Sequence, residues 1–288
     1  MNNIKKLKKI DKAINIYQDN IHLLRCPVCE SSFKIEDRAL ICEHRHTYNF
    51  NKKGYVNFVF KSSDDVYDKD LFKARSIVLQ SGLYKHVTDK LSEIIINNFY
   101  HYERINILDA GCGEGYYLNT IAQSLNDSNT FIGVDLSAHA IDMATNYEND
   151  TLLMLANLAN MPIGDHKIDV ILNILSPVNY QQFSRILTKH GLVIKVIPNA
   201  LYLKEIRDKF TTKDFGNEMV ISLFKAHFNE YESYDVTKTY PIDKETFENI
   251  IDMSPLTSDL SKKTKDTLKQ FPSDTITIDM KILVGKKG

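Results

Sequence analysis

The sequence DAGCGEGYY occupies residues 109–117 and directly follows the short apolar run INIL at residues 105–108. Its three glycines alternate with other residues. Glycine adopts backbone conformations that side chains disfavour and leaves the backbone bare, so this stretch permits a sharp strand-to-helix turn and close approach of a ligand. Ligands of open α/β sheets bind at such turns, at the carboxyl ends of the strands. The stretch therefore predicts the ligand-binding turn of an α/β fold.

The spacing of the glycines distinguishes between two ligand classes. A dinucleotide fingerprint, G-x-G-x-x-G, starting at Gly111 or Gly113 requires glycine at position 116 or 118, which are Tyr116 and Leu118. The pattern here is D-x-G-x-G-x-G, the spacing of Rossmann-like, class I S-adenosylmethionine (SAM)-dependent methyltransferases. SAM has no pyrophosphate, so the turn would hold its amino acid and ribose. The predicted donor contacts of the turn are Asp109, Gly111, Gly113 and Gly115.

The rest of the chain after residue 104 alternates short apolar runs with segments of helical length. This alternation predicts βαβ units and a mainly parallel sheet. A further run at residues 275–284 alternates apolar and polar residues, which suits an antiparallel edge strand. The apolar runs after the first lie at residues 130–135, 151–156, 168–174 and 191–197.

Polar residues stand where three of these predicted strands end. Asp135 ends the second run, where a carboxylate can accept both ribose hydroxyls of the donor. Asn157 follows the third run, where such enzymes usually place an acid against the adenine amino group, and its amide oxygen can still accept that hydrogen bond. Asn173, Ser176 and Pro177 follow the fourth run, the place of the target-facing motif. We expect these three to position the target.

Three cysteines and one histidine form the pattern C-x2-C-x12-C-x3-H at Cys26, Cys29, Cys42 and His46. Close cysteine pairs in a cytosolic chain indicate metal ligands, and this spacing is typical of a zinc ribbon with a short hairpin between its halves. His44 is an alternative fourth ligand. A module of about 35 residues cannot bury a core of its own, so Zn²⁺ would supply the folding free energy. Four protein ligands leave no open position, which predicts a structural metal.

Length, composition and charge indicate a globular protein with a basic front end. The chain has 288 residues, 43% apolar and 25% charged, and no run approaches the roughly 20 apolar residues of a membrane span. The N-terminus lacks the features of a signal peptide, so we expect a soluble cytoplasmic protein without a membrane partner. Residues 1–61 carry a net charge of +6 and residues 62–288 a net charge of −7. This asymmetry favours a polyanionic partner, although a solvated terminal helix is an alternative.

The sequence divides into four predicted segments. Residues 1–20 form a basic amphipathic helix or extension, and residues 21–60 form the zinc ribbon, the expected RNA-recognition module. Residues 61–104 start with a polar linker at 61–70 and continue as two helices broken at Ser81-Gly82. Residues 105–288 form the methyltransferase domain.

With these motifs in place, the chain resembles the RlmA-type ribosomal RNA methyltransferases, which methylate N1 of a guanine in large-subunit RNA. The resemblance covers about residues 24 to 286. It is carried by the ribbon and the GYVN that follows it at 54–57, by AR at 74–75 and GLY at 82–84, by GCGEGYY at 111–117, by SP at 176–177, by the stretch from Pro198 to Glu205, and by MSP at 253–255.

The resemblance implies an activity, a substrate and further site residues. It implies methylation of a hairpin loop of 23S rRNA by a homodimer whose two ribbons flank an RNA-binding cleft. It also implies that Tyr84, Gly113 and Glu114 contact the methyl donor. Tyr202 falls where the family commonly has a donor-contacting histidine, and tyrosine keeps a hydrogen-bonding group there but loses a possible cation.

The ribbon offers candidate RNA contacts. Arg45, Lys52 and Lys53 are the expected phosphate contacts. Interleaved aromatic side chains either stack on unpaired bases or pack the ribbon onto the rest of the molecule. These aromatics are Tyr48, Phe50, Tyr55 and Phe58.

Methyl transfer to N1 of neutral guanine also requires a group that removes a proton. No residue in the sequence identifies itself as that group, and Asn173 cannot serve as a base.

Two other functions are compatible with the sequence. One is a SAM-dependent methyltransferase that acts on a small molecule or a protein, which nothing in the α/β core excludes. The other is a non-catalytic zinc protein that binds RNA and carries a decayed methyltransferase core, which the departures at Asn157 and Tyr202 permit. The intact glycine turn and Asp135 favour an active enzyme, and the basic ribbon favours a nucleic-acid substrate.

Overall fold

The computed structural model describes residues 7–59, 69–210, 216–258 and 260–287. A central eight-stranded sheet has the order β10-β11-β9-β8-β5-β6-β7-β4, and a separate three-stranded sheet has the order β1-β2-β3. The strands are β1 (Phe33–Glu36), β2 (Ala39–Cys42), β3 (Thr47–Asn49), β4 (Val56–Asn57), β5 (Asn106–Ala110), β6 (Thr130–Asp135), β7 (Thr151–Leu155), β8 (Ile168–Ile174), β9 (Leu187–Pro198), β10 (Glu230–Pro241) and β11 (Thr275–Lys286). The helices are α1 (Lys9–Asn20), α2 (Lys69–Gln80), α3 (Lys85–Phe99), α4 (Tyr116–Ser124), α5 (Ala138–Ala144), α6 (Tyr180–Ile186), α7 (Lys204–Arg207), α8 (Glu218–His227), α9 (Lys244–Met253) and α10 (Lys262–Lys269).

The parallel sheet predicted from the apolar runs is confirmed. Strands β4 to β9 of the central sheet pair in parallel, with β5 at its centre between β6 and β8. Strands β6 and β8 have the predicted bounds. Helices cover both faces of these strands, so nearly every residue of the parallel runs is buried. The parallel order brings the carboxyl ends of β5, β6, β7 and β8 to one edge of the sheet.

The last strand is antiparallel as predicted, but the prediction that it forms an edge is wrong. Strand β11 pairs with β9 on one side and with β10 on the other. Strand β10 was not predicted from the sequence, because its residues are largely polar and exposed on both faces and show no apolar alternation. Its partly buried Tyr234 and Tyr240 pack against the main core, and these contacts cover one face of the strand.

The N-terminal 60 residues share the core of the central sheet. Strand β4 extends the sheet at its far edge by pairing with Met154 and Leu155 of β7. The hydroxyl of Tyr17, on α1, donates a buried hydrogen bond of 2.7 Å to the carbonyl oxygen of Leu153. The division of the chain at residues 20 and 60 stays a prediction, and these contacts show that the segments do not pack separately.

The four ribbon aromatics are buried, so the packing alternative is correct and base stacking by them is excluded. Tyr48, Phe50, Tyr55 and Phe58 are each less than 9% exposed. The rings of Tyr48 and Phe58 lie 4.8 Å apart, and Phe50 packs edge-on against Tyr17 at 5.0 Å. Their burial joins the ribbon to α1 and β7 in one apolar cluster.

The two helices predicted before the sheet are present. Helices α2 and α3 are separated by the turn that contains Ser81 and Gly82, where Gly82 has φ 87°. Of the predicted linker, residues 61–68 lie outside the described residues, whereas Lys69 and Asp70 already belong to α2. None of the helices in the described part of the chain combines the length and apolar character that a membrane crossing requires.

Candidate functional site

The glycine turn between β5 and α4 is as bare as its sequence indicates. Gly111, Gly113 and Gly115 all have positive φ angles, of 89°, 56° and 85°. A Cβ atom on Gly111 would stand 2.6 Å from the Cβ of Ser176, and one on Gly115 would stand 3.1 Å from the Cβ of Ala144. Side chains at these positions would strain the backbone and collide with neighbouring elements. The turn thus exposes backbone rather than side chains to a ligand.

Beneath the turn lies a buried carboxyl group without a partner. Asp109 is 1% exposed, and neither of its oxygens has a hydrogen-bond partner in the described part of the chain. Burial, followed by the nearby Asp135, raises the pKa of Asp109 to about 8. Glu114 is also buried and forms an ion pair of 3.2 Å with Arg75. A buried carboxyl group left unpaired fits a cationic ligand group, such as the amine of SAM.

Two predicted donor contacts lie at the ends of the next two strands. Asp135, at the end of β6, accepts hydrogen bonds from the backbone N–H groups of Gly113 at 2.8 Å and Ser137 at 2.9 Å. These bonds hold its carboxylate at the turn and leave lone pairs for a ligand. Asn157 follows β7, is exposed, and its Oδ1 accepts from the N–H of Ala159 at 2.8 Å. Both side chains therefore line the crevice at the carboxyl edge of the sheet.

A cavity of about 360 Å³ opens beside the turn, over β8 and β9. It contains Tyr84 and Tyr202, whose buried hydroxyls form a hydrogen bond of 2.8 Å. Burial raises the pKa of both hydroxyls. The structure thus brings these two predicted donor contacts together with Ser176. Apolar walls come from Leu79, Leu175, Val196, Ile197, Val220, Met253, Pro255 and Leu256.

Asn173 is committed to the protein interior. Its Nδ2 lies within hydrogen-bond distance of the Ala110 carbonyl oxygen at 3.0 Å, the Ser176 hydroxyl at 2.6 Å and the Pro177 carbonyl oxygen at 2.9 Å. Its Oδ1 accepts from Nζ of Lys195 at 2.6 Å. The side chain is fully buried and has no free donor for a target base. The expected role of Asn173 is therefore indirect: it shapes the turn that carries Ser176 and Pro177.

The four predicted metal ligands lie together in the ribbon. Their ligand atoms all fall within 4.8 Å of one another. Sγ of Cys29 is 3.6 Å from Sγ of Cys42, and Nδ1 of His46 is 3.5 Å from Sγ of Cys26. Tetrahedral Zn²⁺ requires about 3.8 Å between two thiolates and about 3.6 Å between thiolate and imidazole nitrogen. The donor set and its spacing therefore fit zinc.

Two further features support this centre. His44 is exposed and outside the group, so the structure selects His46 as the fourth ligand. The hydroxyl of Ser31, 3.1 Å from Sγ of Cys29, is the main cause that lowers the pKa of this thiol to about 5. A thiol with a lowered pKa is present as thiolate, the form that binds a metal.

The predicted phosphate contacts lie apart from the cavity. Arg45, Lys52 and Lys53 are exposed on the ribbon, and Lys53 forms an ion pair with Asp142 of α5. The ribbon adjoins β7, whereas the cavity lies over β8 and β9. From β7 to β9 is four strand spacings, about 19 Å. The structure does not bring these three residues to the cavity.

The sequence analysis missed two charged residues of the site. Lys195 and Arg75 both line the cavity. A lysine inside the apolar run GLVIKVI at 191–197 is a detectable signal, because lysine is rarely buried without a function. For Arg75 the sequence offers no such signal, since it lies on an ordinary amphipathic helix.

An α/β sheet with a bare glycine turn, an unpaired carboxyl group beneath it and acidic and amide side chains on the next two strand ends defines a class I methyltransferase. In agreement, residues 107–195 match the family model of a methyltransferase domain, and residues 24–59 match the model described as RlmA, N-terminal. The donor of such enzymes is SAM, and the zinc of the ribbon is structural.

The chain is also similar to individual proteins along most of its length. It is 33% identical to YxjB of Bacillus subtilis, whose name gives it provisionally as a 23S rRNA (guanine-N(1)-)-methyltransferase, over 92% of this chain and 97% of that protein. It is 25% identical to the 23S rRNA (guanine(748)-N(1))-methyltransferase of Streptomyces fradiae, over 82% and 85% of the two chains. The chain belongs to the family of 23S rRNA (guanine-N1)-methyltransferases.

Solved structures of more distant methyltransferases also align. The plantazolicin methyltransferase BpumL in complex with SAH aligns with a TM-score of 0.48 and 16% identity, over 76% of this chain and 95% of that chain. The YcgJ protein from Bacillus subtilis aligns with a TM-score of 0.47 and 14% identity, over 68% and 97%.

Proposed function

We propose that this protein transfers the methyl group of SAM to N1 of a guanine in a hairpin loop of 23S rRNA. The observation that carries the proposal is the attachment of a basic zinc ribbon directly beside the donor crevice. Nδ2 of Asn160, in the loop that carries Asn157, donates to the carbonyl oxygen of Pro27 at 2.9 Å. Leu24 forms a β-bridge with Ile163 at the end of the same loop. The names of the relatives support this substrate.

The donor residues have distinct roles in this proposal. SAM supplies a methyl group that is activated by a positively charged sulfur. The carboxyl group of Asp109 faces the donor amine, and the free lone pairs of Asp135 accept the ribose hydroxyls. The amide oxygen of Asn157 accepts from the adenine amino group. Tyr84 and Tyr202 close the cavity, and the Glu114–Arg75 pair supports the turn.

The cavity is suited to an extruded base. Base pairing hides the N1 edge of guanine, so the target has to be unpaired or flipped out of its stack. The apolar walls of the cavity would contact the faces of a planar ring, and Ser176 lies between them and the glycine turn. Catalysis then depends mainly on holding N1 in line with the methyl group.

The ribbon would hold the RNA away from the cavity. Arg45 and Lys52, which are exposed, are the proposed phosphate contacts, with Lys53 contributing less because it pairs with Asp142. We infer a homodimer whose two ribbons flank the hairpin, working in the cytoplasm, where ribosomal RNA is found. The four segments of the sequence remain the proposed division of labour, with the ribbon at residues 21–60 for RNA recognition.

Mass spectrometry of 23S rRNA fragments tests the proposal. RNA from cells that express the gene should contain one guanine with an added methyl group, and primer extension should stop at it because methylation blocks the pairing edge. RNA from cells that lack the gene should show neither signal. Identical RNA from both strains would contradict the proposed substrate. Calorimetry with SAM on the zinc-loaded protein separates the alternatives, since a protein with a decayed core would bind no donor.

A further inference from the structure

Lys195 is a buried lysine that the proposed roles leave unused. It lies in the middle of β9 and is 4% exposed. Its Nζ donates hydrogen bonds to Oδ1 of Asn173 at 2.6 Å and to the carbonyl oxygen of Ser176 at 3.0 Å. Lys195 also lines the cavity beside the glycine turn. A cationic group in this position would need a reason to be retained, because burying a charge is costly.

The surroundings of Lys195 contain no compensating negative charge. The two neighbouring strands place Asn173 and Leu283 opposite it, and α8 contributes Val220 to the same cavity. Among the described residues, none forms an ion pair with Lys195. Burial lowers the pKa of Lys195 to about 8. The other titratable groups that line the cavity are Arg75, Tyr84, Tyr117 and Tyr202.

The hydrogen bonds of Lys195 match a neutral amine. An ammonium group has three N–H donors, whereas a neutral amine has two donors and one lone pair. Nζ has two acceptors, Asn173 Oδ1 and the Ser176 carbonyl oxygen. With both N–H groups engaged, the lone pair takes the remaining position, on a side chain that borders the cavity.

We propose that Lys195 is the base that accepts the N1 proton of the target guanine. This inference rests on the proposed function, because it assumes that guanine occupies the cavity. Asn173 then acts as a positioning residue that directs the amine. Its burial and its bonds to the turn explain why an amide that cannot reach the target lies beside it.

The proposed step balances in atoms and charge. The N–H bond of guanine N1 breaks, and its proton joins the lone pair of neutral Lys195 to form an ammonium group. The electron pair left on N1 forms the new N–CH3 bond, while the S–CH3 bond of SAM breaks and its electrons remain on sulfur. The products are neutral N1-methylguanine, the neutral thioether and protonated Lys195, which later releases its proton to water.

The other titratable groups of the cavity are less suited to this step. The hydroxyls of Tyr84 and Tyr202 bond to each other, and burial raises the pKa of each, which favours the protonated form. Glu114 is paired with Arg75. Asp109 lies beneath the turn and does not line the cavity. Lys195 is the group whose proton affinity is lowered toward neutrality, where a general base works best.

Single-turnover methylation of a 23S rRNA fragment tests the proposal through its pH dependence. The wild-type rate should rise with pH and level off above about 8. Lys195→Met and Lys195→Arg should lower the rate at about pH 7 by about 10² to 10⁴-fold. Both variants should lack the levelling-off, because only ionisation of guanine itself then removes the proton. Arginine retains the charge and the donors, so its loss separates proton transfer from charge stabilisation.

Controls separate this role from a structural one. Lys189→Met changes an exposed lysine of the same strand and should keep the wild-type rate and profile. SAM affinity of the Lys195 variants, measured by calorimetry, should stay within about threefold of wild type, which shows an intact donor site and fold. A Lys195→Arg enzyme with the wild-type rate and pH profile would overturn the inference while leaving the proposed function intact. A wild-type enzyme that transfers no methyl group to the RNA would overturn both.

Discussion

At the scale of single residues, two buried titratable groups flank the glycine turn with pKa values shifted toward each other. Burial raises the pKa of Asp109 to about 8 and lowers that of Lys195 to about 8. Both shifts arise because the folded protein disfavours the charged form of an isolated buried group. In each case the cost of folding is accepted at a position that borders the proposed donor and target sites, which is where perturbed groups are commonly functional.

Asp109→Asn should change how stability depends on pH. The pKa of Asp109 is higher in the folded than in the unfolded chain, so the folded state binds the proton more tightly, and this contribution to stability is lost as pH rises from about 4 to about 8. The variant lacks that loss, so its free energy of unfolding relative to wild type should increase across this range. Urea unfolding at several pH values measures it. Asp127→Asn, at an exposed position, is the control, and equal slopes for Asp109→Asn and wild type would contradict the shift.

Asp135→Ala should abolish SAM binding and leave the zinc content unchanged. The substitution removes the carboxylate proposed to hold the ribose and also frees the N–H groups of Gly113 and Ser137. We expect a stability loss of about 1 to 3 kcal/mol from these groups. Calorimetry measures donor binding, and metal analysis measures zinc. Loss of zinc in this variant would show that the ribbon depends on the donor turn.

At the scale of elements, α1 and β4 determine how the ribbon is held. Helix α1 places Tyr17 under β7, and β4 pairs with the end of the same strand. The hairpin of β1 and β2 turns at Asp37 and Arg38, which both have positive φ angles, and returns Cys42 to the other ligands. The metal and the edge of the sheet therefore anchor the ribbon at two ends.

Tyr17→Phe should lower the free energy of unfolding by about 1 kcal/mol, because it removes a buried hydrogen bond to the Leu153 carbonyl oxygen and keeps the ring contacts. Chemical denaturation measures the change. Tyr100→Phe, at a position 70% exposed, is the matched control and should be neutral. A neutral Tyr17→Phe would show that α1 contributes little to the fold.

At the scale of the whole molecule, ribbon, α1 and central sheet form one connected interior. A single apolar cluster contains Phe33 and Tyr48 of the ribbon together with Ile132, Leu152 and Met154 of the sheet. Cooperative unfolding follows from such sharing, since neither part can expose its surface without the other. The arrangement also keeps the exposed ribbon residues about 19 Å from the cavity, a span of four strand spacings.

Removal of zinc should destabilise the whole chain. The zinc-loaded protein should unfold in one thermal transition, and Cys26→Ser should lower its midpoint and reduce methylation of RNA, because the ribbon shares its core with the sheet. Scanning calorimetry and mass spectrometry of the RNA measure the two effects. Cys112→Ala, outside the metal group, should retain zinc. A second transition that is unaffected by Cys26→Ser would contradict the shared core.

The sequence by itself determined the features that depend on local pattern. The bounds of β6 and β8, the glycine turn at residues 109–117 and the four zinc ligands follow from periodicity and spacing within a few residues. Local rules suffice here, because backbone geometry and ligand reach act over short stretches of chain.

Only the tertiary structure decided the features that depend on which surfaces meet. It paired β4 and β10 with the sheet, although neither carries an apolar repeat of its own, and it buried the ribbon aromatics against α1 and β7. It engaged Asn173 with the turn and placed Lys195 beside it. Burial and hydrogen bonding at these positions arise from residues distant in the chain, and no short stretch of sequence contains both partners.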